Sequence, residues 1–290
     1  MPFLPETISS IQNQNYSPIE HIIIDGGSTD GTKDFLQIQN QIIWKSEPDR
    51  GQSQALNKGF RLSKGEIIGW LNADDTYTPG AISYAVEFLK NHQDVDLIYS
   101  DLQIIDQNSH PLKIKRGEPF SFEKLLIKNM VTQPSIFMRR HVIESLLGVN
   151  EGLHYVMDRE FWMRAGMQFK FEYIPDQIFA NFRFCKGTKS YEEIPLFYIE
   201  WLNILNTLED TQSNGNHFRE KINDAKKRTS EQYYYSLMVQ QAHKGKPIHA
   251  LGNFIKGISV DCKTIFKLGT WKLFFRVFFI DSSKISTYNH

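Results

Sequence analysis

Short apolar runs and stretches with helical spacing take turns along the first hundred residues. Glu20 to Ile24 is an apolar run ending at Asp25 and Gly26, and it reads as a buried strand entering a loop. Thr32 stands where it can cap a following helix whose apolar face is Phe35, Leu36 and Ile38. Gln41 to Lys45 predicts a second strand, Gly51 to Leu62 a helix, and Glu66 to Leu71 a third strand after the break at Gly65. Pro79 opens a helix to about Asn91, where Ala81, Ala85, Phe88 and Leu89 recur at helical intervals. Leu97 to Asp101 is a fourth strand candidate. The alternation predicts an α/β domain with a mostly parallel sheet and helices on both faces.

In such sheets ligands collect at the carboxyl ends of the strands. Three polar turns fall there: Asp25 with the glycines after it, Asp49-Arg50-Gly51, and Asn72 to Asp75. Beyond Ser190 the pattern turns helical, which predicts an α/β domain over residues 1–190 and a helical C-terminal extension over 191–290. Tyr191 to Leu208, Phe218 to Ala242 and a segment from Pro247 read as helices. Ile265 to Ile280 is rich in Phe, Leu and Trp with Lys267, Lys272 and Arg276 interleaved. It reads as a packed helix, with an interfacial membrane helix as the alternative.

Composition narrows this picture. Hydrophobic residues at 41% and charged residues at 23% fit a globular protein rather than a disordered one. The formal net charge is zero, yet Gln241 to His290 holds seven Lys, one Arg and two Asp. That basic end is either a solvated face or a surface for an anionic partner. Two widely separated cysteines, Cys185 and Cys262, give neither a disulfide framework nor metal-ligand spacing. The N-terminus has no basic-then-apolar leader and no window is apolar enough to span a bilayer. A cytoplasmic protein is expected, with peripheral contact at the inner membrane face as an option, and no nucleic-acid partner.

The polar turns carry the candidate chemistry. Small residues in Asp25-Gly26-Gly27-Ser28-Thr29-Asp30-Gly31-Thr32 let backbone approach a ligand, and Asp25 can accept from a base N–H; a tight strand-to-helix loop explains the same residues. Arg50 stands before a helix N-terminus and can meet an anion, a carboxylate or a base edge, while a structural contact with Asp49 is the plainer reading. Asn72-Ala73-Asp74-Asp75 offers oxygen ligands for Mg²⁺ or Mn²⁺, or an Asx-turn before Pro79. Asp158, in Met157-Asp158-Arg159-Glu160-Phe161-Trp162, can take a proton from an attacking hydroxyl, or simply favour a helix N-terminus.

Taken together and in this order, the stretches resemble glycosyltransferase family 2, an inverting family of the GT-A fold. The matching runs are IDGGSTDGT at Ile24–Thr32, EPDRGQSQALNKGF at Glu47–Phe60, GEIIGWLNADDTY at Gly65–Tyr77, QPSIFMRR at Gln133–Arg140 and MDREFWMRAG at Met157–Gly166. The resemblance implies that Asp25, Asp49, Arg50, Asn72 and Asp74 bind the donor. It implies that Asp74 and Asp75 hold Mg²⁺ or Mn²⁺ on its diphosphate, and that Asp158 is the base. The donor implied is a nucleotide-diphosphate sugar, of UDP or dTDP type, and the acceptor a saccharide or lipid-linked hydroxyl of cell-surface polysaccharide or lipopolysaccharide assembly.

Three departures qualify the resemblance. Asn72 replaces the usual first Asp of the family's DXD-type motif, and Cys185 stands where a His often follows Arg-Phe. Met1-Pro2 stands directly before the first predicted helix, Phe3 to Gln14, where the family has an interior strand that touches the nucleotide. An N-terminally truncated domain is therefore expected, with two rows of backbone groups left unpaired. A catalytically impaired, nucleotide-sugar-binding remnant is the alternative function. A nucleotidyltransferase is disfavoured because no Gly-rich phosphate loop with a Lys is present.

Overall fold

The computed structural model describes residues 2–211, 216–261 and, further on, 270, 271, 273, 274 and 277. The chain divides into two compact units, Met1–Thr188 and Lys189–His290. The first unit begins with α1 (Leu4–Gln12), β1 (Ile22–Asp25), α2 (Thr32–Gln37), β2 (Ile43–Ser46), α3 (Gln52–Leu62) and β3 (Ile67–Gly69). It continues through β4 (Thr76–Tyr77), α4 (Ala81–Asn91), β5 (Leu97–Ile105), β6 (Pro111–Lys115) and α5 (Phe122–Ile127). A 3-10 turn at Gln133–Ser135 leads to β7 (Phe137–Arg139), α6 (Arg140–Leu146), α7 (Met157–Ala165) and the long β8 (Phe171–Arg183).

The four predicted strands are present, but the predicted sheet is corrected in two respects. Among the described residues only β1/β2 and β5/β8 pair in parallel, whereas β7 joins β3 and β5, β6 joins β5, and β4 joins β8, all antiparallel. The sequence reading missed the short β4, β6 and β7, whose two to five residues are too few to show a period. The sheet is also in two pieces: β1 pairs with β2 alone, and the remaining six strands run β3-β7-β5-β8-β4 with β6 on β5. β1 and β3 thus each keep one edge without a ladder partner among the described residues.

Local sequence explains most elements. Ala81, Ala85 and Leu89 are buried at one-turn spacing on α4, whose left-handed cap is Gly80. For α2 the expectation fails in detail. Thr32 is the first helical residue, and the capping contact comes from Asp30, whose Oδ1 accepts from the Thr32 N–H at 3.2 Å and hydroxyl at 2.6 Å. Leu36 is buried beside Leu4 and Ile8 of α1, but Ile38 is 71% exposed because α2 ends one residue earlier. Full burial of a Leu is worth about 2–3 kcal/mol, so Leu4, Ile8 and Leu36 are what fasten α1 and α2 to the small β1–β2 sheet.

The second unit contains α8 (Lys189–Glu192), α9 (Ile194–Thr211), α10 (Asn216–His243) and α11 (Pro247–Val260). Met238, Ala250 and Phe254 form its buried seam between α10 and α11. The helix expected over Ile265 to Ile280, with Lys267, Lys272 and Arg276, lies outside the described residues apart from isolated positions, as does Cys262.

Candidate functional site

β1 delivers Asp25 to a cavity of ≈ 290 Å³ whose lining includes Phe3, Ile24, Ser28, Thr32 and Asp74. The Asp25 carboxylate accepts from the N–H groups of Gly27 at 3.2 Å and Ser28 at 3.0 Å, and from the Ser46 hydroxyl at 2.5 Å. Burial pushes its pKa up, but the hydrogen bonds from Ser28, Ser46 and Gly27 outweigh burial and hold it below the ordinary carboxylate range. Asp25 is therefore ionised, and it fixes its own loop as well as facing the cavity.

The second turn touches the first. Asp49 accepts from the Gly51 N–H at 2.9 Å, and a Cβ added at Gly26 would lie 2.6 Å from Asp49 Oδ2, so a side chain there would push the Asp49 carboxylate aside. Gly51 itself has φ +130°, which the entry into α3 requires. Arg50 is not brought into the cavity. Its side chain is 78% exposed and donates from Nη2 to Glu151 Oε2 at 3.0 Å, not to Asp49. Exposed pairs of this kind contribute under about 1 kcal/mol, so a bound anion can recruit Arg50 at small cost.

In the acidic turn the side chains separate by role. Asn72 Oδ1 accepts from Gln52 Nε2 at 2.9 Å, while its Nδ2 donates to Gln133 Oε1 at 3.1 Å and Asp75 Oδ2 at 3.3 Å. Asp75 is fully buried, and its Oδ1 accepts from the Arg183 N–H at 2.9 Å. Burial, together with the neighbouring Asp74 charge, drives the Asp75 pKa well above the ordinary range. Of the two carboxylates expected to hold metal, the structure turns Asp75 inward and leaves half-buried Asp74 facing the cavity. Burial raises Asp74 as well, with the Arg183 charge acting against it.

α1 and Arg183 support this turn from behind. Thr7 donates its hydroxyl to the carbonyls of Asp75 at 2.8 Å and Ala73 at 3.0 Å. Arg183, with its side chain wholly buried, donates Nε to the Asp74 carbonyl at 2.9 Å and Nη2 to Glu6 Oε2 at 2.6 Å. Cys185, two residues on, is a buried thiol whose pKa burial raises.

Asp158 is the second residue of α7, where the Arg159 N–H and the Asn129 side chain both donate to it, the latter from Nδ2 to Oδ2 at 2.9 Å. Burial nevertheless raises its pKa above the ordinary range. It reaches the acidic turn through one short segment. Asn129 holds Asp158, and Gln133, four residues later, holds Asn72 and donates to the Trp70 carbonyl at 2.8 Å. Four residues span at most about 14 Å. α3 makes a second bridge, because Gln52 meets Asn72 while Ser53 donates to the Leu153 carbonyl at 2.5 Å, just ahead of α7. Asp158 and the acidic turn therefore lie on the same side of the unit.

Sequence reasoning missed Gln52, Asn129, Glu151 and Arg183. Gln52 and Gln133 lie inside quoted motifs, yet nothing in their spacing shows that both grip Asn72. Arg183 carries a readable signal, since a lone Arg in the apolar run Ile178 to Phe184 needs buried acceptors.

The sequence model of Glycosyl transferase family 2 matches residues 1–147. An uncharacterized glycosyltransferase of Methanocaldococcus jannaschii is 26% identical over 185 residues, covering 60% of this chain and 63% of its own. A PGL/p-HBAD biosynthesis glycosyltransferase of Mycobacterium tuberculosis is 29% identical over 168 residues, covering 56% and 64%. The match thus spans under two thirds of either relative. Among solved structures, Staphylococcus aureus TarS 1–349 in complex with UDP-GlcNAc superposes with a TM-score of 0.58 at 17% identity, over 98% of this chain and 86% of that one. The mannosyltransferase PcManGT from Pyrobaculum calidifontis, in complex with GDP-Man and Mn²⁺, gives 0.58 at 15% identity, over 94% and 74%. At these identities the superpositions establish the fold.

Proposed function

Because the chain belongs to glycosyl transferase family 2 and has the GT-A fold, we propose that it moves a sugar from a nucleotide-diphosphate donor to an acceptor hydroxyl, inverting the anomeric carbon. The observation that carries this reading is the grouping of carboxylates: Asp25 and Asp74 face one cavity, and Asp158 stands on the same side through the Asn129–Gln133 segment. Asp25, with Asp49 behind it, receives the nucleotide, and Arg50 leaves Glu151 for the donor. A UDP- or dTDP-type nucleotide is the donor expected.

The donor set fits a divalent cation of one kind. Among the described residues no three His, Cys, Asp or Glu side chains form a metal-binding group. Mg²⁺ or Mn²⁺ held by one carboxylate, waters and substrate phosphates requires no such group. Asp74, whose carboxylate lines the cavity and is raised by burial despite the Arg183 charge, is the residue that would hold it. When bound, the cation neutralises the departing diphosphate.

Asp158 takes the proton from the acceptor hydroxyl as that oxygen bonds to the anomeric carbon. The bond from this carbon to the diphosphate oxygen breaks on the opposite face, and the nucleoside diphosphate leaves with the electron pair. A carboxylate whose pKa is raised by burial is a stronger base than an exposed one, which suits this role. The acceptor proposed is a saccharide or lipid-linked hydroxyl of cell-surface polysaccharide or lipopolysaccharide assembly. Asp158→Asn should cut turnover by orders of magnitude with donor binding intact, and Asp74→Ala should remove Mn²⁺-dependent binding of UDP in calorimetry. Equal loss of UDP affinity in Asp158→Asn would refute the assignment.

Peripheral membrane contact is supported by one feature of the second unit. No helix among the described residues is long and apolar enough to cross a membrane. On α11, however, Ile248, Leu251 and Ile255 are 83%, 42% and 58% exposed along a single face, within the basic C-terminal region. Sedimentation with anionic vesicles should bring the chain down. Replacing all three by Ser should abolish that, and co-sedimentation unchanged by the substitutions refutes this contact.

A further inference from the structure

Asn129 is a side chain that the motifs do not include and the proposed mechanism does not use. It lies two residues beyond α5, on a segment whose next residues are pinned. Met130, Val131 and Thr132 are buried, and the Thr132 hydroxyl donates to the Ser100 carbonyl of β5 at 2.6 Å. A second latch joins the same region to α7: Arg159 donates Nε and Nη2 to the Leu125 carbonyl of α5 at 2.9 and 2.7 Å. The Asn129 side chain is thus carried by backbone held from two directions.

Its two polar atoms have opposite circumstances. Nδ2 donates to Asp158 Oδ2 at 2.9 Å, while Oδ1 is buried and without a hydrogen-bond partner among the described residues. Exchanging the amide atoms would set a carbonyl oxygen against an ionised carboxylate oxygen, two acceptors at donor distance, so the bond to Asp158 fixes which atom is left over. A buried carbonyl without a donor costs stability. An unpaired acceptor beside the proposed proton-accepting carboxylate is a position to which a second hydroxyl of a bound acceptor can donate.

We propose that Asn129 positions the acceptor: its Nδ2 aims Asp158 at the reacting hydroxyl while its Oδ1 accepts from the adjacent hydroxyl of a vicinal diol. The inference rests on Asp158 being the proton acceptor. It adds the chemical class of acceptor, a sugar or polyol presenting two neighbouring hydroxyls, rather than an isolated alcohol. Both acceptors belong to one hydrogen-bonded pair, so hydroxyls on adjacent carbons can meet them together, one at the Asp158 carboxylate and one at Asn129 Oδ1.

The charges around the pair agree with this geometry. The charged groups facing Asp158 are Arg159 on its own helix and Lys115 from β6, and Lys115 is faced in turn by Lys113 and Lys128. Burial lowers the Lys115 pKa, with the Lys113 and Lys128 charges acting in the same direction and Asp158 against it. Lys115 and Arg159 favour the ionised form of Asp158 and the Asn129 hydrogen bond favours it too, so loss of Asn129 should make the carboxylate harder to ionise.

The full chain is compared with Asn129→Leu, Asn129→Asp and Asp158→Asn. Carbon-13 NMR of aspartate carboxyls, with the Asp158 signal identified by its loss in Asp158→Asn, reads the ionisation without substrate. Asn129→Leu should weaken the acid about tenfold, and Asn129→Asp, which adds a like charge, should do so further. Release of nucleoside diphosphate from UDP-GlcNAc and GDP-mannose with Mn²⁺ is then measured with glycerol and with 1,3-propanediol, which lacks the adjacent hydroxyl. The natural chain should prefer glycerol about tenfold, the discrimination of one hydrogen bond; Asn129→Leu should reduce that preference to within about twofold, whereas Asn129→Asp, which keeps an acceptor oxygen, should retain it. Asn129→Ala supplies the answer if Asn129→Leu does not fold. A preference that survives removal of the position-129 oxygen, or a natural chain indifferent to the missing hydroxyl, overturns the proposal. Undiminished turnover in Asp158→Asn overturns instead the assignment of the base.

Discussion

Arg183→Lys keeps a positive charge and removes a fork. The guanidinium makes four side-chain hydrogen bonds: Nε to the Asp74 carbonyl at 2.9 Å, Nη1 to the Asp106 carbonyl at 2.9 Å and Ser109 Oγ at 3.0 Å, and Nη2 to Glu6 Oε2 at 2.6 Å. It also lies over the Phe3 ring, 4.4 Å from the centroid. A lysine ammonium has three donors at one point and cannot reach carbonyls on opposite sides of a plane. Held by Glu6, it leaves the Asp74 carbonyl without a donor, while the Asp106 carbonyl keeps the Ser109 N–H at 3.1 Å.

A buried carbonyl left unpaired costs about 1–3 kcal/mol, here about 2 kcal/mol. For a unit of this size that is a fall of roughly 6 °C in melting temperature. Calorimetry is the assay of choice because it can separate the transitions of the two units, and only one should move. The Asp74 carbonyl tethers the turn that carries the proposed metal ligand, so Mn²⁺-dependent affinity for UDP should fall about tenfold in the same variant. A melting temperature within about 2 °C of the unsubstituted chain, with unchanged UDP affinity, would show that the fork does not hold the turn.

Two further predictions depend on pH. Asp158 must be ionised to accept a proton, and burial raises its pKa, so kcat/KM should fall as pH drops through a value above the ordinary 3.9 of aspartate; an acid limb at or below that value contradicts the placement. His21 is half-buried with its Nδ1 atom buried and unpartnered among the described residues, and desolvation lowers its pKa from 6.5 to about 4. Between those values the unfolded chain binds a proton that the folded chain refuses, so this contribution is intact above 6.5 and is lost as pH falls toward 4. It amounts to at most about 3 kcal/mol. Urea midpoints at pH 7.5 and 4.5 should differ less in His21→Phe than in the unsubstituted chain, and equal differences would remove His21 from the acid response.

What the sequence reveals depends on the range of the interaction. β1, α3 and α4 are legible because their signals are local: apolar runs, helical spacing, glycine at an end. The three turns were legible as a group because strand ends in an α/β unit share an edge, and Gly26 against Asp49 and Gln52 against Asn72 bear that out. The pairing sense of the later strands was not legible, since β7 has three residues and β4 two. Nor could the sequence say which carboxylate of Asp74-Asp75 turns inward. That is decided by the Arg183 N–H, a partner 108 positions away.

The break in the sheet changes what holds the site together. In a continuous sheet, a ladder of backbone hydrogen bonds sets the distance between the loop at Asp25 and the turn at Asp74. Here β1 and β3 share no ladder, so side chains must set it. α1 does so from one direction, packing Leu4 and Ile8 against the β1–β2 layer while Thr7 grips the Ala73 and Asp75 carbonyls. α3 does so from another, with Gln52 on Asn72 and Asn57 donating to the Val149 carbonyl at 2.8 Å. Side-chain bridges of this kind contribute about 1 kcal/mol each and yield one at a time, whereas a ladder yields as a unit. The spacing of Asp25 and Asp74 therefore rests on side-chain bridges that can yield singly, and under the proposed function a nucleotide diphosphate spanning both would stiffen it on binding.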